Sequence, residues 1–279
     1  MFPRPLSEPR WLKFEGTPVT ETASGVSHQP VRGASPKGTT DPESASRAVR
    51  EMFTSIAPSY DLLNHLLSAN VDKMWWRRTA RAFRPILRRS DAHVLDLCCG
   101  TGDMAFALRK QGTAAKITGA DFSHAMLSRA SAKTTGKTPV IWIEADALRL
   151  PFPEDRFDLI TSAFGFRNLA DYDAGLREIL RVLKPGAEFA MLECSKPKGP
   201  FGKFYDLYFE GVVPRVGTLI SGVKGAYAYL PDSVERFPAP PEMVTRMQGA
   251  GFDQVSWTPY TFGIAGLFRG RKRPSEFIP

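Results

Sequence analysis

The chain lacks the means to staple itself or to hold a metal. Of 279 residues, three are cysteine (Cys98, Cys99 and Cys194) and four are histidine. Three thiols, two of them adjacent, exclude a disulfide framework. Without a Cys-x-x-Cys or His-x-x-x-His pair, no metal site is expected. Long apolar runs are missing too: nothing approaches the ~20 residues that a membrane-spanning helix needs. The first residues form no signal-peptide core, because Pro3, Arg4, Pro5 and Glu8 break it up. These absences predict a reducing compartment, the cytoplasm.

Acidic residues are outnumbered. With 37 basic against 29 acidic side chains, the net charge is +8, a field that favours polyanions or an anionic membrane surface. Lys73, Arg77, Arg78, Arg81, Arg84, Arg88 and Arg89 crowd one stretch, and Arg269, Arg271, Lys272 and Arg273 another. Neither block has the motif of a nucleic-acid module, so no nucleic-acid partner is expected. What remains is a solvated helix face, or peripheral contact with anionic lipid at the inner face of the membrane. No feature of the sequence speaks to oligomeric state.

Residues 1–45 are rich in Pro, Gly, Ser and Thr and lack apolar periodicity, so they are expected to be disordered. Residues 46–279 read as one domain. Val49, Met52, Phe53 and Ile56 recur at helical spacing, and Pro58 interrupts. Leu62, Leu63, Leu66 and Leu67 mark a second helix; Met74, Trp75, Thr79, Ala82 and Phe83 mark the apolar side of a third. From His93 the rhythm changes. Strands are expected over His93–Cys98, Lys116–Ala120, Val140–Glu144, Phe157–Phe164 and Glu188–Glu193. Helices fall between them over Asp103–Lys110, Ser123–Lys133 (capped by Ser123) and Tyr172–Leu183. Such alternation means a mostly parallel sheet with helices on both faces. A helix near Glu242–Gln248 and two consecutive strands, Gln254–Pro259 and Gly263–Arg269, then give an antiparallel C-terminal edge.

The strongest local signal is Val94-Leu95-Asp96-Leu97-Cys98-Cys99-Gly100-Thr101-Gly102-Asp103. An acid inside a strand leads into a turn with two glycines that opens a helix, at the sheet end where such folds bind ligands. A buried Asp96 is costly unless satisfied, either by a cationic ligand group or by local backbone N–H groups. The turn also fits the dinucleotide fingerprint, and Asp121 follows Gly100 at the distance of a ribose-binding acid. A nicotinamide-dependent oxidoreductase is therefore one reading. It leaves unexplained Glu144-Ala145-Asp146-Ala147 after the third strand, with an acid placed to meet an adenine amino group.

Together with Leu150-Pro151-Phe152, Phe157-Asp158-Leu159-Ile160 and Arg181-Val182-Leu183-Lys184-Pro185-Gly186, these segments resemble class I methyltransferases that use S-adenosylmethionine. Finer segments resemble the ubiquinone/menaquinone biosynthesis C-methyltransferases. They are Tyr60-Asp61-Leu62-Leu63-Asn64 with Ser68 and Trp75, then Phe164-Gly165-Phe166-Arg167-Asn168. Arg181 to Ser195 and Tyr227 to Pro238 follow. The likeness covers about residues 46–271. The chain departs from the family pattern at Asp72, where histidine is usual, and at His65, where an acid is usual. Ala187 replaces a second glycine, and Ala163 a serine that precedes the Phe-Gly pair.

The resemblance implies a Rossmann-like seven-stranded sheet with extra N-terminal helices, S-adenosylmethionine as cofactor and a prenylated quinol as substrate. It implies cofactor contacts at Thr101, Asp121, Phe122, Asp146, Ala147 and Ala163, with Asp96 nearby and the Gly100–Gly102 turn cradling the methionine end. Arg167 and Asn168 fall where a quinol would meet the methyl; Arg167 either stabilises a developing phenolate or makes a structural ion pair. Tyr60, Asp61 and Asn64 are placed to close over the cofactor. The Phe201–Ala228 segment reads equally as an apolar substrate cover or as a packed helix. The Leu-Cys-Cys-Gly-Thr-Gly-Asp turn favours demethylmenaquinol, with a methoxy-polyprenyl-benzoquinol as the alternative.

Overall fold

The computed structural model describes residues 33–135, 139–197, 202, 207, 211, 215 and 229–274. Four helices precede the sheet: α1 (Pro42–Ile56), α2 (Tyr60–Leu67), α3 (Val71–Ala82) and α4 (Arg84–Leu87). α1 begins earlier than its apolar spacing indicates. Asp41 caps it by accepting the Ser44 N–H at 2.8 Å, Ser44 reaches back to the Asp41 N–H, and Pro42 opens the first turn. Expected disorder up to residue 45 is thus corrected for residues 33–45. Ala34 is buried, and its N–H donates to the Leu169 carbonyl at 2.7 Å. Residues 1–32 lie outside the described residues.

In α3 the buried face is Asp72, Trp75, Trp76, Thr79 and Ala80. Met74 and Ala82, expected on that face, are exposed instead. The basic stretch occupies the exposed side, as the pattern predicts.

The sheet comprises β1 (His93–Leu97), β2 (Lys116–Asp121), β3 (Ile141–Glu144), β4 (Phe157–Ala163), β5 (Leu183–Cys194), β6 (Phe252–Tyr260) and β7 (Ala265–Lys272). Their order is β3-β2-β1-β4-β5-β7-β6, parallel through β5. β7 slots between β5 and β6, antiparallel to both. Alternate residues of each strand enter opposite cores. Val94 packs with Trp75, Leu108 and Ile117 beneath the N-terminal helices. Leu95 packs on the other face with α7 (Tyr172–Val182) and α9 (Pro240–Ala250), through Leu176, Ile179 and Met243.

Three local expectations shift. β5 starts at Leu183, five residues early, and runs through Pro185-Gly186. Ser123 stands at the N-cap of α6 (His124–Lys133), but its hydroxyl lies 3.2 Å from Thr54 Oγ1 and makes no cap bond. Gly263 belongs to a tight turn over Thr261–Gly263, outside β7. α5 (Asp103–Gln111) follows the glycine turn, and α8 (Tyr229–Arg236) was not foreseen. Most of the Phe201–Ala228 segment lies outside the described residues. No helix among those described is long and apolar enough to cross a membrane.

Candidate active site

The chain lays down β1, β2 and β3 in one direction and returns to place β4 on the far side of β1. That reversal opens a crevice at the carboxyl ends of β1 and β4. Gly165, just after β4, makes close approach possible: a Cβ there would lie 2.4 Å from the Cβ of Cys98. The glycine turn is equally constrained. At Gly102, with φ of +89°, a Cβ would meet the Trp142 ring at 2.5 Å.

A cavity of about 590 Å³ fills the crevice. Tyr60, Asp96, Gly100, Thr101, Asp121, Phe122, Asp146, Ala147, Ala163, Arg167 and Asn168 all line it. One expected residue stands apart. Gly102 does not reach the cavity, and its bare backbone accommodates Trp142 instead.

Asp121 ends β2 with both oxygens engaged. Oδ2 accepts the Gly100 N–H at 2.8 Å and Oδ1 the Ser123 N–H at 2.9 Å, which locks the glycine turn to the next strand. Burial pushes its carboxyl up to about 6. Asp96 is wholly buried in β1. Thr161 donates to its Oδ1 at 2.9 Å, whereas Oδ2 has no hydrogen-bond partner. Burial raises this carboxyl to about 7. Asn168 Oδ1 is likewise buried without a partner. Two unsatisfied acceptors on one cavity fit a ligand that brings N–H donors or positive charge.

Helix α2 closes the turn from above. Thr101 donates to Asp61 Oδ1 at 2.5 Å, and Lys133 from α6 bridges Asp61 at 2.9 Å and Asp103 at 3.2 Å. Tyr60 lies over Gly100, with its phenol pushed up to about 12 by burial. Asp146 turns its carboxylate onto its own loop, accepting the Leu148 N–H at 2.9 Å.

Arg167 sits in a short turn, Phe166–Asn168, after β4. Nη1 donates to Glu193 Oε2 at 2.8 Å and to the Phe164 carbonyl, and Nε to Ser233 at 3.3 Å. Burial works against its charge, but the adjacent Glu193 carboxylate prevails and holds the guanidinium above its ordinary value. Sequence reasoning missed Glu193 as a functional residue. Its signals were its place in the Arg181–Ser195 family segment and a lone acid ending the apolar run Phe189–Leu192. Ser233, on the unforeseen α8, lies in the Tyr227–Pro238 segment of the family resemblance but was given no role there. Apolar side chains Trp75, Trp76, Phe164 and Ile264 also line the cavity.

The profile of the ubiE/COQ5 methyltransferase family matches residues 41–272. The chain belongs to that family. Relatives include the demethylmenaquinone methyltransferase of Deinococcus radiodurans, 48% identical over 84% of this chain and 96% of that one. The enzyme of the same name from Thermus thermophilus is also 48% identical, over 78% and 99%. The ubiquinone/menaquinone biosynthesis C-methyltransferase of Geobacter sulfurreducens is 42% identical, over 80% and 88%.

Among solved structures, the [4+2]-cyclase SpnF superposes with a TM-score of 0.60 at 17% identity, covering 82% of this methyltransferase and 97% of the cyclase. An S-adenosylmethionine-dependent methyltransferase from Thermotoga maritima gives 0.54 at 18% identity, over 81% and 100%. Cyclase and methyltransferase share one fold, so the fold alone does not set the reaction. As a ubiE/COQ5 methyltransferase, this protein uses S-adenosylmethionine.

Proposed function

We propose that this methyltransferase transfers the methyl group of S-adenosylmethionine to a ring carbon of demethylmenaquinol, giving menaquinol. The carrying observation is a single cavity with two chemistries. Acids within β1 (Asp96), at the end of β2 (Asp121) and after β3 (Asp146) line it together with the aromatic and aliphatic side chains Trp75, Trp76, Phe164 and Ile264. Identity of 48% to two demethylmenaquinone methyltransferases over most of the chain supports the naphthoquinol.

In this reading Asp121 holds the ribose, Asp146 and Ala147 border the adenine, and Asp96 with the Gly100–Thr101 backbone takes the methionine end. Bound there, S-adenosylmethionine supplies a methyl on a positively charged sulfur, which a ring carbon attacks in line. The protein's own contribution is to position and to exclude water. Well-oriented pairs gain ~7–11 kcal/mol from position alone. Arg167 stays protonated and faces the ring hydroxyl, stabilising the charge that develops on oxygen, with Asn168 beside it. Tyr60 and Asn64 cover the site from α2.

The prenyl tail brings the enzyme to lipid. α2 and α3 line the cavity on one side, and on the other expose Leu62 (62%), Leu66 (53%) and Met74 (55%) beside Lys73 and Arg77. We assign this face to an anionic membrane surface. The C-terminal basic block contributes less: Arg269 and Arg271 pair with Glu188, and Lys272 with Asp155.

The test is turnover with chemically reduced prenyl-naphthoquinol and prenyl-benzoquinol in parallel. Methylation of the naphthoquinol at least tenfold faster supports the assignment; preference for the benzoquinol moves it to the ubiquinone branch.

A further inference from the structure

The cavity wall holds a His–Asp pair that the functions assigned so far leave unused. Asp72, in the first turn of α3, is 4% exposed and lines the cavity. Its Oδ1 accepts the Lys73 N–H at 2.7 Å, and its Oδ2 lies 2.8 Å from Nδ1 of His65 on α2. His65 is packed edge-on against Trp76, ring centres 5.9 Å apart. One turn along α3, Trp75 meets Phe164 at 5.8 Å, and the Phe164 carbonyl accepts from Arg167. The pair on α2 and α3 and the guanidinium after β4 therefore flank the same apolar part of the cavity.

Methylating a ring carbon requires a ring hydroxyl to give up its proton, and a good acceptor works near the operating pH. The other described titratable groups on the cavity are engaged elsewhere or, like Tyr229 and the thiols of Cys98, Cys99 and Cys194, held protonated by burial. Arg167 is held protonated by Glu193. Tyr60 keeps its proton up to about 12. Asp103 is paired with Lys133, Asp146 with its own loop, and Asp121 with the glycine turn. Asp96 is buried within β1, where Thr161 donates to it. Asp72 alone among them is bonded to an imidazole.

Building on the quinol reading above, we propose that Asp72 is the catalytic proton acceptor for the ring hydroxyl, with His65 the positioning residue that orients its carboxylate. The hydroxyl O–H bond breaks, its proton passes to the Asp72 carboxylate, and the oxygen keeps the electron pair and shares it with the ring. The ring carbon bonds to the methyl as the methyl–sulfur bond breaks, sulfur leaving with that pair. The hydrogen on the methylated carbon then departs as a proton, the oxygen recovers one from Asp72, and one proton is released overall. The charged groups around the pair are Asp103 on α5, which His65 influences electrostatically, and Asp61 and Lys133, which join Asp103 through one bridge.

The test uses the full chain with three variants: Asp72→Asn, His65→Gln and the exchange H65D/D72H. Activity is measured with reduced naphthoquinol across pH. S-adenosylhomocysteine affinity is measured by calorimetry. Ionisation of a bound hydroxynaphthalene is read by absorbance with no cofactor present. Expected for Asp72→Asn is a kcat loss of roughly 100-fold or more, with KM and S-adenosylhomocysteine affinity unchanged. Its kcat should rise steadily with pH, and the hydroxynaphthalene that wild type binds ionised at pH 8 should bind neutral. His65→Gln should shift the midpoint of the pH profile. The exchange variant, which keeps both groups in contact, should retain kcat within about tenfold, and it decides the matter if Asp72→Asn fails to fold. The proposal is overturned if Asp72→Asn turns over within threefold of wild type, or loses cofactor affinity in step with kcat. Unchanged hydroxynaphthalene ionisation, or an exchange variant that binds S-adenosylhomocysteine normally but is inactive, also overturns it. A wild type that methylates neither quinol removes this proposal together with the quinol reading; a Asp72→Asn enzyme as active as wild type removes this proposal alone.

Discussion

Arg167 and Glu193 stand 2.8 Å apart, the carboxylate wholly buried at the end of β5. Glu193 also accepts the Arg167 backbone N–H at 3.1 Å and the Cys194 N–H at 3.2 Å, so one acid fixes both the loop and the guanidinium. Removing one partner of a buried pair strands the other, at a cost of ~3–5 kcal/mol. Arg167→Ala should therefore lose stability as well as activity. Arg167→Lys keeps the charge but not the planar fork. We expect it to bind S-adenosylhomocysteine normally while kcat drops by ~100-fold. Normal turnover in Arg167→Lys would remove the guanidinium from the chemistry.

Asp121 presents a carboxylate whose backbone bonds leave further lone pairs for a ribose. Charge-assisted bonds of this kind contribute ~1.5–3 kcal/mol each. Asp121→Asn turns an amide N–H₂ toward backbone N–H donors and loses the charge. Calorimetry should show cofactor affinity falling by about one to two orders of magnitude. In wild type, affinity should weaken as pH falls through about 6, where this carboxylate takes up a proton.

For Asp96 the sign of the pH effect separates two roles. Burial lifts its carboxyl from 3.8 to about 7, so the folded chain holds a proton that the unfolded chain has released. Native protein binds more protons across that window, and stability present near pH 4 is lost as pH rises through about 7. Asp96→Asn should lack this slope. At pH 8 the ligand-free variant should melt at a higher Tm than wild type while binding cofactor less tightly. A lower Tm at pH 8 would mark Asp96 as a structural cap.

Gly102 carries packing, and its substitution should read accordingly. Alanine there combines a φ of +89° with a 2.5 Å contact to Trp142, an overpacking cost of ~1–3 kcal/mol. Gly102→Ala should lower Tm while the folded fraction binds S-adenosylhomocysteine as wild type does. Collapse of affinity at unchanged Tm would return Gly102 to the cofactor.

Much of this architecture was legible because strands and helices leave different periods. The β1 turn, Asp121 and the acid after β3 stood in the sequence in the order in which the sheet uses them. The start of α1 was hidden, since a cap built from Asp41, Pro42 and Ser44 has no apolar rhythm. Met74 and Ala82 misled for the opposite reason: apolar at helical spacing, they sit just off the face that Trp76 and Ala80 bury. Long-range pairs were the least visible. Asp72 and His65 read as two separate departures from the family pattern, yet they touch at 2.8 Å. The two departures are one exchange of acid and imidazole within a contact. Glu193 and Arg167, 26 positions apart, become partners only when β5 is laid beside β4.

Carbon transfer is the claim on which the site's assignment depends. The most direct measurement uses S-adenosylmethionine carrying a ¹³C methyl with reduced prenyl-naphthoquinol, and carbon NMR of the product. A labelled methyl at the chemical shift of an aromatic ring substituent is the predicted result. Label at the shift of a methoxy group would contradict it, because transfer to oxygen does not place the ring carbon against the methyl.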